Sequence, residues 1–185
     1  MQLPKSNGLP VNLLAACFNN TSATYKYYWL LSILQAVEEG NLKVSKRDLF
    51  SRMISNAWFT VNYFHVSFGK QDLIQQAIEA INEIEKIPID EKRQLVFEKL
   101  SSTTNKKTVG QLWHFNKNVP HWFLSPWFQK MDRNEIYRAS QTFNEKCLYA
   151  LYDDRIAKRT INIYFFSYLV EVFVFINLTI FIFEN

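Results

Sequence analysis

The scarcity of glycine and proline is the sequence feature that most limits the folds open to this chain. Its 185 residues include only 4 glycines and 5 prolines. An all-β protein needs many tight turns, and tight turns depend on the special backbone angles of these two residues. The composition therefore predicts an all-α protein in which long helices are joined by short loops. A chain of this length is sufficient for one globular domain with a sizeable core.

Apolar residues recur at helical spacing in about six stretches, which predicts a multi-helix domain of about six amphipathic helices. The first helix follows capping residues at positions 19–22 and ends at Gly40, a residue suited to the position after a helix. The second begins at Ser45, which forms a pattern like a capping box with Asp48. We expect the other four in residues 73–84, 90–100, 108–116 and 132–151.

An aromatic segment separates the last two of these helices. Residues 119–128 contain two prolines and four large aromatic side chains, and a regular helix cannot continue through all of them. We expect an ordered loop that packs onto the core.

The C-terminal segment differs in composition from everything before it. No Lys, Arg, Gly or Pro follows Thr160, and 18 of the 23 residues from Ile161 to Phe183 are apolar or aromatic. We therefore expect a helical domain in residues 1–156 and a hydrophobic tail in residues 157–185, with a C-terminal hydrophobic helix.

Three interpretations of the tail remain open. As a helix, the segment from Ile161 to Phe183 is about 34 Å long, which is enough to cross a bilayer. The basic residues Arg155, Lys158 and Arg159 before it would keep the N-terminal domain in the cytoplasm. Glu171, near the middle of the segment, opposes insertion into the bilayer by roughly 2.5–3.5 kcal/mol. A frameshift or gene truncation would instead make the tail a non-native sequence. A buried C-terminal helix or strand is the third interpretation.

The sequence contains no self-contained catalytic motif. His65, His114 and His121 are not spaced as zinc ligands, and the four glycines are isolated, which excludes a glycine-rich phosphate loop. Cys17 and Cys147 are too few for a disulfide framework, and a reducing compartment is the simplest interpretation. We assign no catalytic residue, no metal ligand and no small-molecule substrate.

A basic and aromatic stretch is the candidate site. The first 160 residues contain all 21 Lys and Arg but 15 of the 17 Asp and Glu, a net charge of +6. Aromatic side chains beside cations suit single strands and flipped bases, so a nucleic acid is a candidate partner of this stretch. The alternative is that the aromatic residues fill a core while the lysines are solvated. The candidate nucleic-acid-binding residues are Lys106, Lys107, Trp113, His114, Lys117, His121 and Trp122.

Three segments resemble the N-terminal region of bacterial HNH endonuclease domain-containing proteins. The first contains LPK at residues 3–5, LP at residues 9–10 and FNNTSATYKYYWL at residues 18–30. The second contains Trp58, Tyr63 and Phe64, and the third is VPHWFLSPWF at residues 119–128. The similarity extends from Met1 to about Ile156 and includes no catalytic signature.

The resemblance implies a helical region that precedes a nuclease domain of ββα-metal fold. A divalent metal would belong to that nuclease domain, whose histidines have no counterpart here, so no family catalytic residue is carried over and this chain is expected to have no cofactor. The expected protein is a cytoplasmic, truncated, non-catalytic helical module that contacts DNA. The alternative is a helical binding protein, anchored in the inner membrane through Ile161 to Phe183, with its body in the cytoplasm.

Overall fold

The computed structural model describes residues 11–19, 24–68, 72–142, 147–152 and 160–163, and these are mostly helical. This confirms the helical character predicted from the composition. A small three-stranded sheet, which the all-α prediction missed, completes the fold. The elements, in chain order, are α1 (Val11–Ala16), α2 (Tyr25–Glu38), β1 (Lys43–Ser45), α3 (Lys46–Asn62), α4 (Leu73–Glu85), α5 (Arg93–Ser102), α6 (Lys106–His114), a 3-10 turn (Phe115–Lys117), α7 (Val119–Leu124), α8 (Arg133–Thr142), β2 (Tyr149–Leu151) and β3 (Thr160–Ile163).

Helix α3 is the centre of the core, and α2, α4, α5 and α6 pack around it. Its apolar stripe is completely buried: Leu49, Phe50, Met53, Ile54, Ala57 and Trp58. Burying one large apolar side chain contributes roughly 1.5–3 kcal/mol, so this stripe is a major source of stability. The predicted cap is confirmed, because the Asp48 amide donates to the Ser45 hydroxyl at 3.0 Å.

Helix α2 ends as its sequence predicts. Gly40 has φ of +78°, a backbone conformation that L side chains rarely adopt. Its amide donates to the Val37 carbonyl at 2.9 Å, which satisfies one of the last carbonyls of the helix. Of the predicted capping residues, 20–22 lie outside the described part of the chain.

The sheet has the strand order β1-β3-β2, and both pairs are antiparallel. Ile161 of the central strand is opposite Val44 on one side and Leu151 on the other.

The helix predicted over residues 132–151 is therefore wrong at its C-terminal end. The described part of α8 ends at Thr142, residues 143–146 lie outside the described part of the chain, and Tyr149–Leu151 form a buried strand. Short apolar runs have no periodicity that separates a strand from a helix.

The predicted hydrophobic helix is wrong for its first residues, because Thr160–Ile163 is the central strand β3. Three of its four residues are buried, as the buried-strand interpretation of the tail requires. Residues 164–185 lie outside the described part of the chain, and so does most of the segment considered as a membrane anchor. Among the described residues, no helix combines the length and the apolarity that a membrane crossing requires.

The aromatic segment begins as a helix where a loop was expected. Pro120 lies in the first turn of α7, where a missing N–H costs nothing. Turns follow from Ser125 onward, so the helix does not continue through the second proline. The segment packs onto the core as expected, with Phe123, Leu124 and Phe128 buried.

Candidate nucleic-acid interface

Two of the seven predicted residues occupy the first positions of α6. Lys106 and Lys107 are both exposed, and the helix has no acidic residue in its first turn. The Asn105 side chain caps the helix by accepting a hydrogen bond from the Lys107 amide at 3.0 Å. The positive end of the helix dipole therefore coincides with two ammonium groups, and this end of α6 favours an anion.

The C-terminal end of α6 contributes one exposed and one packed residue. Trp113 is half-buried, and its ring meets Phe50 of the core edge-on, with centroids 5.7 Å apart. His114 is exposed, as is Lys117 in the 3-10 turn that follows. Along the axis of α6, His114 lies about 12 Å from Lys106. The structure thus places Trp113 in the core and the basic residues at the two ends of the helix.

The last two predicted residues have opposite environments on α7. Trp122 is 54% exposed, whereas His121 is 6% exposed. The two rings are tilted against each other with centroids 5.5 Å apart. Of the seven residues, five are therefore exposed, on α6, on the 3-10 turn and on α7, and we call these five the α6–α7 surface: Lys106, Lys107, His114, Lys117 and Trp122.

His121 is a buried and neutral imidazole. Burial, together with the nearby charges of Arg133 and Lys46, lowers its pKa from 6.5 to about 4. Among the described residues, its Nδ1 atom has no hydrogen-bond partner. At neutral pH, His121 adds no charge to the surface, and it does not stack on a ligand from this position.

The structure brings together a group of basic side chains that the sequence analysis missed. We call Lys46, Arg133, Tyr137 and Arg138 the α8 cluster. Lys46 is fully buried at the start of α3 and donates from Nζ to the Tyr137 hydroxyl at 2.7 Å. The guanidinium carbon of Arg133 lies 5.4 Å from the centre of the same Tyr137 ring. Lys46 is far from α8 in sequence, and no local pattern indicates this cluster.

The described residues contain no group of three or more His, Cys, Asp or Glu side chains that could hold a metal ion. Cys17 and Cys147 are both buried. Burial raises the pKa of the Cys17 thiol to about 12, and the Sγ atom donates to the Phe123 carbonyl at 3.1 Å. A protonated, buried thiol is a poor nucleophile, so Cys17 has a structural role.

Comparisons of this chain with protein-family models, with curated proteins and with solved structures find no match. A function must therefore be argued from the surface itself, together with the sequence resemblance described above.

Proposed function

We propose that the protein is a helical module that binds DNA, of the kind that precedes the nuclease domain in HNH endonuclease-like proteins. In this proposal, the α6–α7 surface contacts the phosphate backbone and an unpaired base, and the module contributes binding instead of bond breaking. The observation that carries the proposal is the pair of exposed lysines at the N-terminal end of α6.

The position of this lysine pair is unfavourable for the isolated protein. Cations at a helix N-terminus oppose the helix dipole, and each such interaction is worth about 0.3–1 kcal/mol. Lys106 and Lys107 also repel each other. Glu85 of α4 accepts a hydrogen bond from the Thr108 hydroxyl in this turn at 2.5 Å, but it also lies 3.9 Å from the Lys99 ammonium and offsets at most one of the two charges. A phosphate at this end of the helix would neutralise the charges of both lysines.

Trp122 supports a contact with bases. Of the five tryptophans, Trp29 and Trp58 are fully buried and Trp127 is 7% exposed, whereas Trp122 is 54% exposed. A tryptophan that only fills a core would be buried like the first three. An exposed indole can stack on a base, and such stacking contributes roughly 1–3 kcal/mol per base. Lys117 on the same short segment supplies a charge for the adjacent phosphate.

The sequence resemblance supports the class of protein. It extends from Met1 to about Ile156 and therefore includes both α6 and α7. Its third segment, residues 119–128, contains Trp122. The HNH endonucleases that this chain resembles act on DNA, which makes DNA the first ligand to test.

The proposal is tested by fluorescence anisotropy with a labelled single-stranded oligonucleotide and with its duplex. We expect the wild-type protein to bind both. The double variant Lys106→Gln and Lys107→Gln should weaken both by a similar factor, because phosphate contacts are independent of strand type. Trp122→Ala should weaken the single strand more than the duplex, by about 1–3 kcal/mol, because duplex bases are already stacked.

The matched control removes two charges from another part of the surface. Lys92 and Arg93 are adjacent and exposed at the start of α5. Unlike Lys106 and Lys107, they directly follow two acids, Asp90 and Glu91, which offset their charge. Lys92→Gln with Arg93→Gln should bind as the wild type does. Equal losses in this control and in the Lys106 and Lys107 variant would mean that only net charge matters, and the α6–α7 surface would not be the binding site.

A further inference from the structure

The C-terminal end of α3 carries exposed aromatic side chains that the proposed DNA contact does not use. Ten large apolar side chains are exposed among the described residues, and four of them lie within residues 59–66. Singly exposed apolar residues are common on protein surfaces, whereas a contiguous group indicates a contact surface. We call three of the four, Phe59, Tyr63 and Phe64, the α3 patch, and each is between 40% and 64% exposed.

The three rings of the α3 patch pack on one another. Tyr63 stacks on Phe59, with ring centroids 4.5 Å apart and an angle of 9° between the ring planes. Phe64 is edge-on to both rings, at 5.4 Å from Phe59 and 5.3 Å from Tyr63. The Phe64 amide donates to the Phe59 carbonyl at 3.4 Å, which holds the chain after α3 against the last turn of the helix. The patch is therefore preorganised, and little conformational freedom is lost when it binds a partner.

The segment that contains the patch is uncharged. No Asp, Glu, Lys or Arg occurs between Arg52 and Lys70, although 21% of the residues of the chain are charged. A nucleic acid or an anionic membrane surface is held by cations, and this segment supplies none. A surface without charges fits a partner surface that is also apolar and uncharged.

The exposed area of the patch matches what a small dimer interface requires. Three rings exposed to this extent leave roughly 300 Å² of apolar area open to solvent. The smallest specific interfaces bury roughly 600 Å² on each partner, of which a little over half is apolar. The patch therefore supplies the apolar centre of such an interface, and the polar neighbours Thr60 and His65 would lie at its rim.

We propose that the α3 patch is the apolar centre of a homodimer interface, in which it packs on the α3 patch of a second copy of this chain. A two-fold contact brings the same residues together from both copies, so it requires a self-complementary surface. An uncharged patch meets no like charge when it faces itself. Because the Phe64 ring is nearly perpendicular to the other two, two copies can form edge-to-face pairs, an arrangement that aromatic rings prefer. The dimer does not depend on DNA binding at the α6–α7 surface.

Sedimentation velocity over a range of protein concentrations tests the dimer. We expect the average mass of the wild type to rise from 22.0 kDa towards twice that value as the concentration increases. Phe64→Asp should weaken dimerisation by roughly tenfold or more, because a two-fold contact brings two new carboxylates together. A wild type that remains monomeric at hundreds of micromolar protein would overturn the proposal.

The matched control for Phe64→Asp places the same charge at another exposed apolar position. Leu95 lies on α5 and is 48% exposed. Leu95→Asp should dimerise as the wild type does, and far-UV circular dichroism should show that both variants keep the helical fold. Equal losses of dimer in the two variants would mean that any added charge prevents association, and would overturn the role of the α3 patch.

Cross-linking identifies the surfaces in contact without adding a charge. The photoreactive residue p-benzoylphenylalanine replaces Phe64, and a mixture of isotopically labelled and unlabelled protein is irradiated. We expect mass spectrometry to find cross-links between copies that end within residues 59–66 of the second copy. Cross-links confined to the same chain, or to another surface of the second copy, would overturn the proposal.

Two further measurements separate the dimer from a lipid contact and from the proposed function. A wild type that stays monomeric but binds phosphatidylcholine vesicles, with binding lost in Phe64→Asp, would assign the patch to a lipid surface and overturn the proposal. Lys106→Gln with Lys107→Gln should dimerise as the wild type does, whether or not the wild type binds DNA. The dimer and the proposed function therefore stand or fail separately.

Discussion

At the scale of single residues, adjacent positions in the sequence have opposite roles. His121 and Trp122 are neighbours, yet the His121 imidazole is buried and the Trp122 indole is exposed. A sequence pattern of alternating aromatic and basic residues does not distinguish these cases, because the direction of each side chain depends on where α7 lies against the core. Trp113 illustrates the same limit, since its ring packs on Phe50. The exposed lysines were predictable, because lysine is rarely buried.

The buried His121 makes stability depend on pH. Its pKa is about 4 in the folded protein and near 6.5 when unfolded, so the unfolded chain binds the proton more readily between these values. Stability should therefore fall as the pH is lowered from 6.5 towards 4. Urea unfolding at pH 7 and pH 4.5 measures this fall. Between these two pH values, the free energy of unfolding of the wild type should decrease by about 2 kcal/mol more than that of His121→Gln.

The exposed His114 provides the control for this measurement. His114→Gln should keep the pH dependence of the wild type, because it leaves the buried imidazole of His121 in place. The account of His121 fails if His121→Gln loses as much stability between the two pH values as the wild type does.

At the scale of elements, the longer helices were predictable, whereas the six-residue helices α1 and α7 and the strands were not. The helices α2 to α5 follow a sustained apolar period, and Ser45 and Gly40 mark two of their boundaries. The strands β2 and β3 have three and four residues, too few for any period to appear. Tertiary pairing decides their conformation, because Ile161 is opposite both Val44 and Leu151.

Strand β2 is tied to two helices by one buried phenol. The Trp29 Nε1 atom of α2 donates to the Tyr149 hydroxyl at 2.9 Å, and that hydroxyl donates to the Pro120 carbonyl at 2.7 Å. Tyr149→Phe leaves both partners buried and unsatisfied, and we expect a loss of about 2–4 kcal/mol in the free energy of unfolding. Chemical denaturation measures this loss.

The control is Tyr63→Phe, at a side chain that is 52% exposed, which should change the free energy of unfolding by less than about 0.5 kcal/mol. An equal effect of the two substitutions would contradict the role of the Tyr149 hydroxyl.

At the scale of the whole molecule, the sequence represents two groups of basic residues unequally. The α6–α7 surface is local in sequence, so its residues could be selected from the sequence pattern as a candidate site. The α8 cluster joins Lys46 to residues of α8, and only the fold brings them together. Arg133 and Arg138 on their own resemble the solvated charges of any surface helix. The sequence therefore indicated the first group and gave no sign of the second.

The salt dependence of DNA affinity tests the central claim most directly, because each phosphate contact releases counterions. The logarithm of the association constant should fall linearly with the logarithm of salt concentration, and for a single strand each lost contact makes the slope shallower by roughly 0.7. We predict that Lys106→Gln with Lys107→Gln lowers the magnitude of the slope by roughly 1.4, and that Lys92→Gln with Arg93→Gln leaves it unchanged. A wild-type affinity that does not depend on salt, or equal slopes in the wild type and the Lys106 and Lys107 variant, would contradict the account.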